Sequence, residues 1–200
     1  MTTVVSIARR ALQMLGADSI IDLTEDNNRA RAMQIAYEPV RDAELTRNRW
    51  RFSFKRASLA ALSTAPVHGF GYAYQPPTDF LRLIGGGDLG SYPDMSDIRA
   101  DTNELYSLEN GLILTNLTAP LKIRYIARIT DASLFDAAFA EMLAARLAME
   151  TCERLTQSDS KKQIAAAFYK DALKSARRAN ALQGAVAQLL DDTWVSARGQ

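Results

Sequence analysis

Apolar residues recur at three- and four-residue steps toward both ends of this chain and at two-residue steps in its middle. That switch of period limits the fold more than any other feature. A helix returns to the same face about every 3.6 residues and a strand every second residue, so the flanks predict helices and the centre predicts sheet.

In the first flank, Val4, Ile7, Ala8, Ala11, Leu12 and Leu15 predict a helix from about Thr3 to Leu15, closed by Gly16. Ala17 to Leu23 reads as a short connection. Thr24 then suits an N-cap, with Glu25 and Asp26 in the first turn, where the helix dipole favours negative charge. Ala30, Met33, Ala36, Tyr37, Val40 and Leu45 carry this second helix to about Arg49. Pro39 removes one backbone hydrogen bond in mid-run and predicts a bend there, not a break.

The texture changes beyond Trp50. Arg51-Phe52-Ser53-Phe54-Lys55 alternates as a half-buried strand does, and Pro66, Gly69, Gly71, Pro76 and Pro77 mark loops and strand edges. Phe80 to Ile84 reads as a strand that stops at Gly85-Gly86-Gly87. Asn110-Gly111, between Leu105–Leu108 and Leu112–Leu114, is a hairpin signal, because both residues accept the positive φ of a tight turn. Leu121 to Ile126 alternates cleanly and closes the region.

In the second flank, Phe135, Phe139, Leu143 and Leu147 recur every four residues, widened by Met142 and Met149, which predicts a helix to about Leu155. Gln157 to Ser160 forms a capped loop. A last helix runs from about Lys161 to Leu182 with Ile164, Phe168, Ala172, Leu173 and Ala176 inward, ended by Gly184. The fold expected is α+β, mainly α: an antiparallel bundle of long helices from residues 1–49 and 131–184, a small antiparallel β domain inserted at 50–130, and a C-terminal tail at 185–200.

Chemistry is sparse. Lys and Arg total 24 against 23 Asp and Glu, a net charge of +1, and the signs are interleaved. A chain built to grip phosphates shows a basic excess or stripe, so tight nucleic-acid binding is disfavoured. One His (His68) and one Cys (Cys152) cannot supply a transition-metal site or a disulfide framework. His68 reads as a solvated loop residue and Cys152 as a buried thiol. No Gly-x-Ser-x-Gly segment accompanies His68, and Gly85-Gly86-Gly87 is followed by Asp88 rather than the Lys-Ser or Lys-Thr of a phosphate loop. Asp94, Asp97, Asp101 and Glu104 read as an acidic loop. Arg9-Arg10, Lys161-Lys162 and Arg177-Arg178 read as solvated faces or subunit salt bridges. Trp50, Phe52 and Phe54 read as core at the junction of helices and sheet. No cofactor is expected. No basic leader with a cleavage site opens the chain and no apolar run suits a membrane span, so a soluble chain assembled in a reducing cytoplasm is expected.

Several segments together resemble a known family. They are Leu12-Gln13-Met14-Leu15-Gly16, Arg47-Asn48-Arg49-Trp50-Arg51-Phe52, the run Tyr72-Ala73-Tyr74-Gln75-Pro76-Pro77-Thr78-Asp79-Phe80-Leu81-Arg82, Asn110 to Thr115, and Ile123-Arg124-Tyr125 with Asp131 and Phe135. In this order, from about residue 5 to 183, the chain resembles the tail tubular protein A family, the head-to-tail adaptors of short-tailed bacteriophages. The resemblance implies a non-enzymatic virion protein of the neck. It implies a ring, a dodecamer in that family, that sits beneath a portal protein, extends the DNA channel and receives a tail nozzle protein. DNA would pass through the lumen without specific binding, and no membrane is involved. The family has no shared catalytic motif to carry over. A DNA-binding packaging subunit and a cell-wall glycan hydrolase are the alternatives. In the tail, Leu189, Leu190, Trp194 and Val195 are the expected anchors toward the portal or a neighbouring subunit.

Overall fold

The computed structural model describes residues 1–86 and 106–183. The fold is α+β, with four helices and two small antiparallel three-stranded sheets. Helices α1 (Val4–Leu15) and α2 (Asn28–Arg47) precede the strands, and α3 (Ala137–Thr156) and α4 (Asp159–Leu182) follow them.

Each helix end has a local cause. Thr3 caps α1 through a reciprocal pair: its hydroxyl accepts from the Ser6 N–H at 3.1 Å, and the Ser6 hydroxyl accepts from the Thr3 N–H at 2.9 Å. Gly16 ends α1 at φ 63°, a left-handed conformation that costs glycine little. Ile7, Ala8, Ala11, Leu12 and Leu15 are buried as the periodicity predicts.

The start of α2 differs from expectation. Asn27, not Thr24, is the cap, with its side chain accepting from the Ala30 N–H at 2.8 Å. Thr24 instead donates from its N–H and hydroxyl to Asp22, and the Glu25 carboxylate accepts from the Ile21 and Asp22 N–H groups. Short polar side chains that bond nearby backbone compete with helix, so residues 22–27 form the turn instead of the first helical turn. Pro39 lies within a continuous α2. It is exposed, as is Ile35 one turn earlier, whose carbonyl has no N–H to accept from at residue 39.

Helix α3 is central, packing against α1, α2 and α4. Two residues, Gln157 and Ser158, separate it from α4, and Gln157 takes the left-handed conformation at φ 48°. Helix α4 then spans from the end of α1 to the end of α2. Lys161 near its start donates to the Leu15 carbonyl at 3.0 Å, and Asn180 near its end donates to the Arg49 carbonyl at 2.8 Å. The face α4 turns inward carries Ala165, Tyr169 and Ala176, not Ile164 and Phe168, which are 54% and 50% exposed. The polar tie of Tyr169 to buried Glu44 and the Lys161 contact fix a rotation that apolar spacing alone does not encode.

One sheet has the order β1 (Phe54–Leu59), β6 (Leu121–Ala127), β3 (Phe80–Gly86); the other has β2 (Tyr72–Tyr74), β5 (Leu112–Thr115), β4 (Tyr106–Glu109). Strand β3 thus continues through Gly85 and Gly86, where a stop was expected. Asn110 and Gly111, at φ 48° and 75°, turn β4 into β5. Residues 51–53 form a 3-10 turn instead of the predicted strand, because the Trp50 carbonyl accepts both the N–H and the hydroxyl of Ser53, at 3.0 and 2.7 Å. That turn sends Trp50 and Phe52 to the same neighbour. Both rings meet Phe139 edge-on, at centroid distances of 5.0 and 4.9 Å, and Phe135 completes the cluster. Trp50 is 1% exposed and donates its indole N–H to the Glu44 carbonyl at 2.8 Å. One contiguous apolar core includes Leu12, Met33, Trp50, Ile126, Phe139 and Leu147, joining helices to sheet. Asp79 adds a polar clasp on the sheet, accepting from Lys55 at 2.7 Å and Tyr125 at 2.9 Å.

Candidate functional site

An open groove of about 590 Å³ lies between α1 and α4, floored by α3. Arg10, Gln13 and Met14 form one wall, and Phe168, Asp171, Ala172 and Ser175 form the other. Glu141 and Ala145 lie at the base. The lining is mainly apolar, and its two acids do not form a free pair. Arg10 grips both oxygens of Glu141, with contacts of 2.7 to 3.1 Å, which occupies lone pairs a proton-transfer catalyst needs. Asp171 is exposed on the rim.

Beneath the helices lies a buried polar cluster that sequence spacing did not disclose. Glu44 is 2% exposed and its Oε1 accepts from the Tyr169 hydroxyl at 2.7 Å, with Arg146 Nε at 3.5 Å and Arg47 Nη1 at 3.7 Å. Arg47 also donates to the Tyr169 oxygen at 2.9 Å, and the Arg146 guanidinium lies 5.7 Å from the centre of the Tyr169 ring. Burial, then the hydrogen bond to the Glu44 charge, pushes the Tyr169 phenol up to about 12. One turn away, Arg41 is 4% exposed and donates to Asp42 at 2.8 Å, while Arg128 donates to the other Asp42 oxygen at 2.7 Å. These ion pairs stitch α2 to α3 and the end of β6, and the Tyr169 hydrogen bond ties it to α4. The signal available was a charged residue breaking an apolar stripe, and every solvated helix carries such residues too.

A smaller recess of about 290 Å³ is lined by Arg49, Arg51 and Arg124 with Phe54, Ile84, Asn180 and Ala181, with no acid among the described residues that line it. Arg124 stacks over Phe54 at 5.8 Å.

The four residues anticipated as docking anchors, Leu189, Leu190, Trp194 and Val195, lie outside the described residues, as do Gly184 and the acidic stretch of Asp94, Asp97, Asp101 and Glu104. Cys152 is buried beside Thr156, 3.3 Å from its hydroxyl, and His68 is exposed on a loop. Trp50 is core, as expected, with Phe52 and Phe54 partly buried against it. The basic doublets make contacts within the chain: Arg9 donates to the Ile20 and Ile21 carbonyls, Lys162 to Glu153 at 2.6 Å, and Arg177 to Asn48 at 2.8 Å. Among the described residues no group of three His, Cys, Asp or Glu side chains is placed to hold a metal ion, and no helix is long and apolar enough to cross a membrane. No family model matches the chain, and no curated protein matches it significantly.

Proposed function

We propose that this chain is a structural head-to-tail adaptor of a bacteriophage, forming a ring below the portal that extends the DNA channel and receives the tail nozzle. On this reading the helices of residues 1–49 and 131–184 form one antiparallel bundle, residues 50–130 are a β domain projecting from it, and residues 185–200 are a docking tail. The observation that carries the reading is the element order: two helices, two small antiparallel sheets, two helices, built on the same segments that resemble the tail tubular protein A family. A ring needs two different faces per subunit and a fixed rotation between copies. Rigid helices stitched by buried ion pairs supply such faces, and a near-zero net charge lets DNA slide where a strongly basic wall holds it.

Electron microscopy of the purified chain, alone and mixed with portal rings, tests this. The expected result is a twelve-fold ring stacked coaxially on the portal. A chain that remains a monomer in the presence of portal and leaves its image unchanged would refute the reading. A second reading, a packaging subunit that grips DNA, draws on the arginine-lined recess. A gel-shift titration separates the two: an adaptor gives no complex with duplex DNA at ~200 mM salt, whereas a gripping subunit gives one that Arg51→Glu with Arg124→Glu abolishes.

A further inference from the structure

We propose that the recess lined by Arg49, Arg51 and Arg124 binds a single phosphoryl group, carried by inorganic phosphate or by a small phosphate monoester. The inference rests on neither functional reading above. It differs from the gripping-subunit reading in taking one terminal anion and no length of nucleic-acid backbone.

The sequence interleaves its charges, and the sheet sorts them. Strand β6 pairs with β1 so that Arg124 stands directly opposite Arg56. Residues paired in this way share one face of the sheet, so the two cations are neighbours. Lys55, one residue before Arg56, takes the other face, where Asp79 receives it at 2.7 Å. Like charges directly opposite each other destabilise a strand pair, and an anion set beside them relieves the repulsion. Among the described residues, none of Arg51, Arg56 and Arg124 has an acidic partner.

Local contacts fix the walls of the recess. Asn180, in the last turn of α4, braces the backbone of residues 49–51. Its carbonyl oxygen accepts from the Arg51 N–H at 2.9 Å, and its amide donates to the Arg49 carbonyl at 2.8 Å. Arg124 stacks over Phe54 at 5.8 Å, which occupies the face of the guanidinium and leaves the N–H donors at its edge for an anion. Ile84, 6% exposed, adds a buried apolar wall that limits water and so strengthens charge pairing.

Magnitudes select the ligand. Arg51 and Arg124 line the recess and Arg56 stands beside Arg124, three positive charges without counting Arg49, which has a further contact of its own. The negative pole of α4 offsets roughly half a charge of that. A carboxylate, with one charge and two oxygens, leaves most of the excess standing. A phosphoryl dianion brings about two charges and three oxygens, which match planar guanidinium forks. The volume of about 290 Å³ equals roughly ten waters' share of the liquid, enough for one phosphate with part of its hydration and too little for a stretch of duplex.

The test is calorimetric titration of the full chain with orthophosphate, exchanged for chloride so that ionic strength stays at ~0.15 M. The expected result is saturable binding of one phosphate per chain. Arg51→Gln with Arg124→Gln should weaken it at least tenfold. Lys170→Gln with Lys174→Gln, an equal loss of charge on α4 outside the recess, should leave it within twofold. Both arginines are exposed, and an unchanged far-ultraviolet dichroism spectrum separates lost binding from lost structure. Glycerol phosphate distinguishes the two sources: competition at similar concentration assigns the site to esters, and its absence assigns the site to the free ion. Heat that never saturates, or equal loss of binding in the two double variants, overturns the proposal. So does duplex DNA without terminal phosphates that displaces orthophosphate at equal phosphate concentration, because the arginines then serve a backbone.

Discussion

Glu44 shows what a single buried charge does in this fold. Its carboxylate, 2% exposed, binds Tyr169 from α4 and faces Arg146 from α3, so three helices share one anion. Tyr169→Phe removes a charge-assisted hydrogen bond and should cost about 1.5–3 kcal/mol. Glu44→Ala removes the buried anion that Tyr169, Arg146 and Arg47 share, although Arg146 keeps Glu150 at 2.7 Å, and should cost more, about 3–5 kcal/mol. Urea denaturation followed by circular dichroism measures both, and equal losses in the two variants would contradict the shared-anion picture. The same residues set an alkaline limit. Burial is the leading cause that raises the phenols of Tyr37, Tyr125 and Tyr169 to about 12; hydrogen bonds to Asp79 and Glu44 add to it for Tyr125 and Tyr169. An unfolded tyrosine ionises near 10. Between these values the folded chain holds more protons than the unfolded one, so stability falls as pH rises. The contribution is fully present below about pH 10 and lost as the pH passes about 12. The urea midpoint should drop across that window, and Tyr169→Phe should make the drop shallower.

Elements whose shape depends on neighbours in sequence are legible in the sequence alone. The Asn110-Gly111 turn is one, since positive φ at both positions is a local requirement. Gly111→Ala forces a Cβ into that conformation at φ 75° and should cost about 1–2 kcal/mol, read as a shift in thermal midpoint. The cap of α1 is similar: Thr3→Ala loses one half of the reciprocal pair and should cost ~1 kcal/mol, while Ser6→Ala, losing the other half, should cost a comparable amount. Most of what sequence did not disclose depends on distant partners, and the rest on a choice between equivalent local bonds. The phase of α4 is set by Glu44 and Leu15, more than a hundred residues away, so Ile164 and Phe168 read as inward when they are outward. Residues 51–53 alternate as a strand does, yet the Ser53 bonds to the Trp50 carbonyl make a turn, and the ring contacts with Phe139 add to it. Thr24 and Asn27 offer equivalent capping chemistry, and only the bonds from Asp22 and Glu25 decide between them. The groove escaped notice for the same reason: its walls come from helices that sequence places 150 residues apart.

At the scale of the whole molecule, the question is whether helices and sheets act as one unit. The four aromatic rings of Trp50, Phe52, Phe135 and Phe139 sit where the chain leaves α2 for the strands and where it returns to α3. Trp50 and Phe139 are almost wholly buried, and the apolar core runs unbroken from Leu12 through this cluster to Ile126. The Arg128–Asp42 pair ties the end of β6 to α2 beside it. A sheet module that is merely tethered to a helical body unfolds separately, whereas a shared core makes the transition cooperative. The fluorescence of Trp50 reports the junction, and far-ultraviolet dichroism near the helical minimum reports the helices. In a Trp194→Phe background the two signals should follow one urea transition with one midpoint. Phe139→Ala opens a cavity at the junction and should lower stability by about 3–5 kcal/mol while keeping the two signals superimposed. If the dichroism transition stays in place while fluorescence moves to lower urea, the strands are an independent unit and the shared core does not couple them.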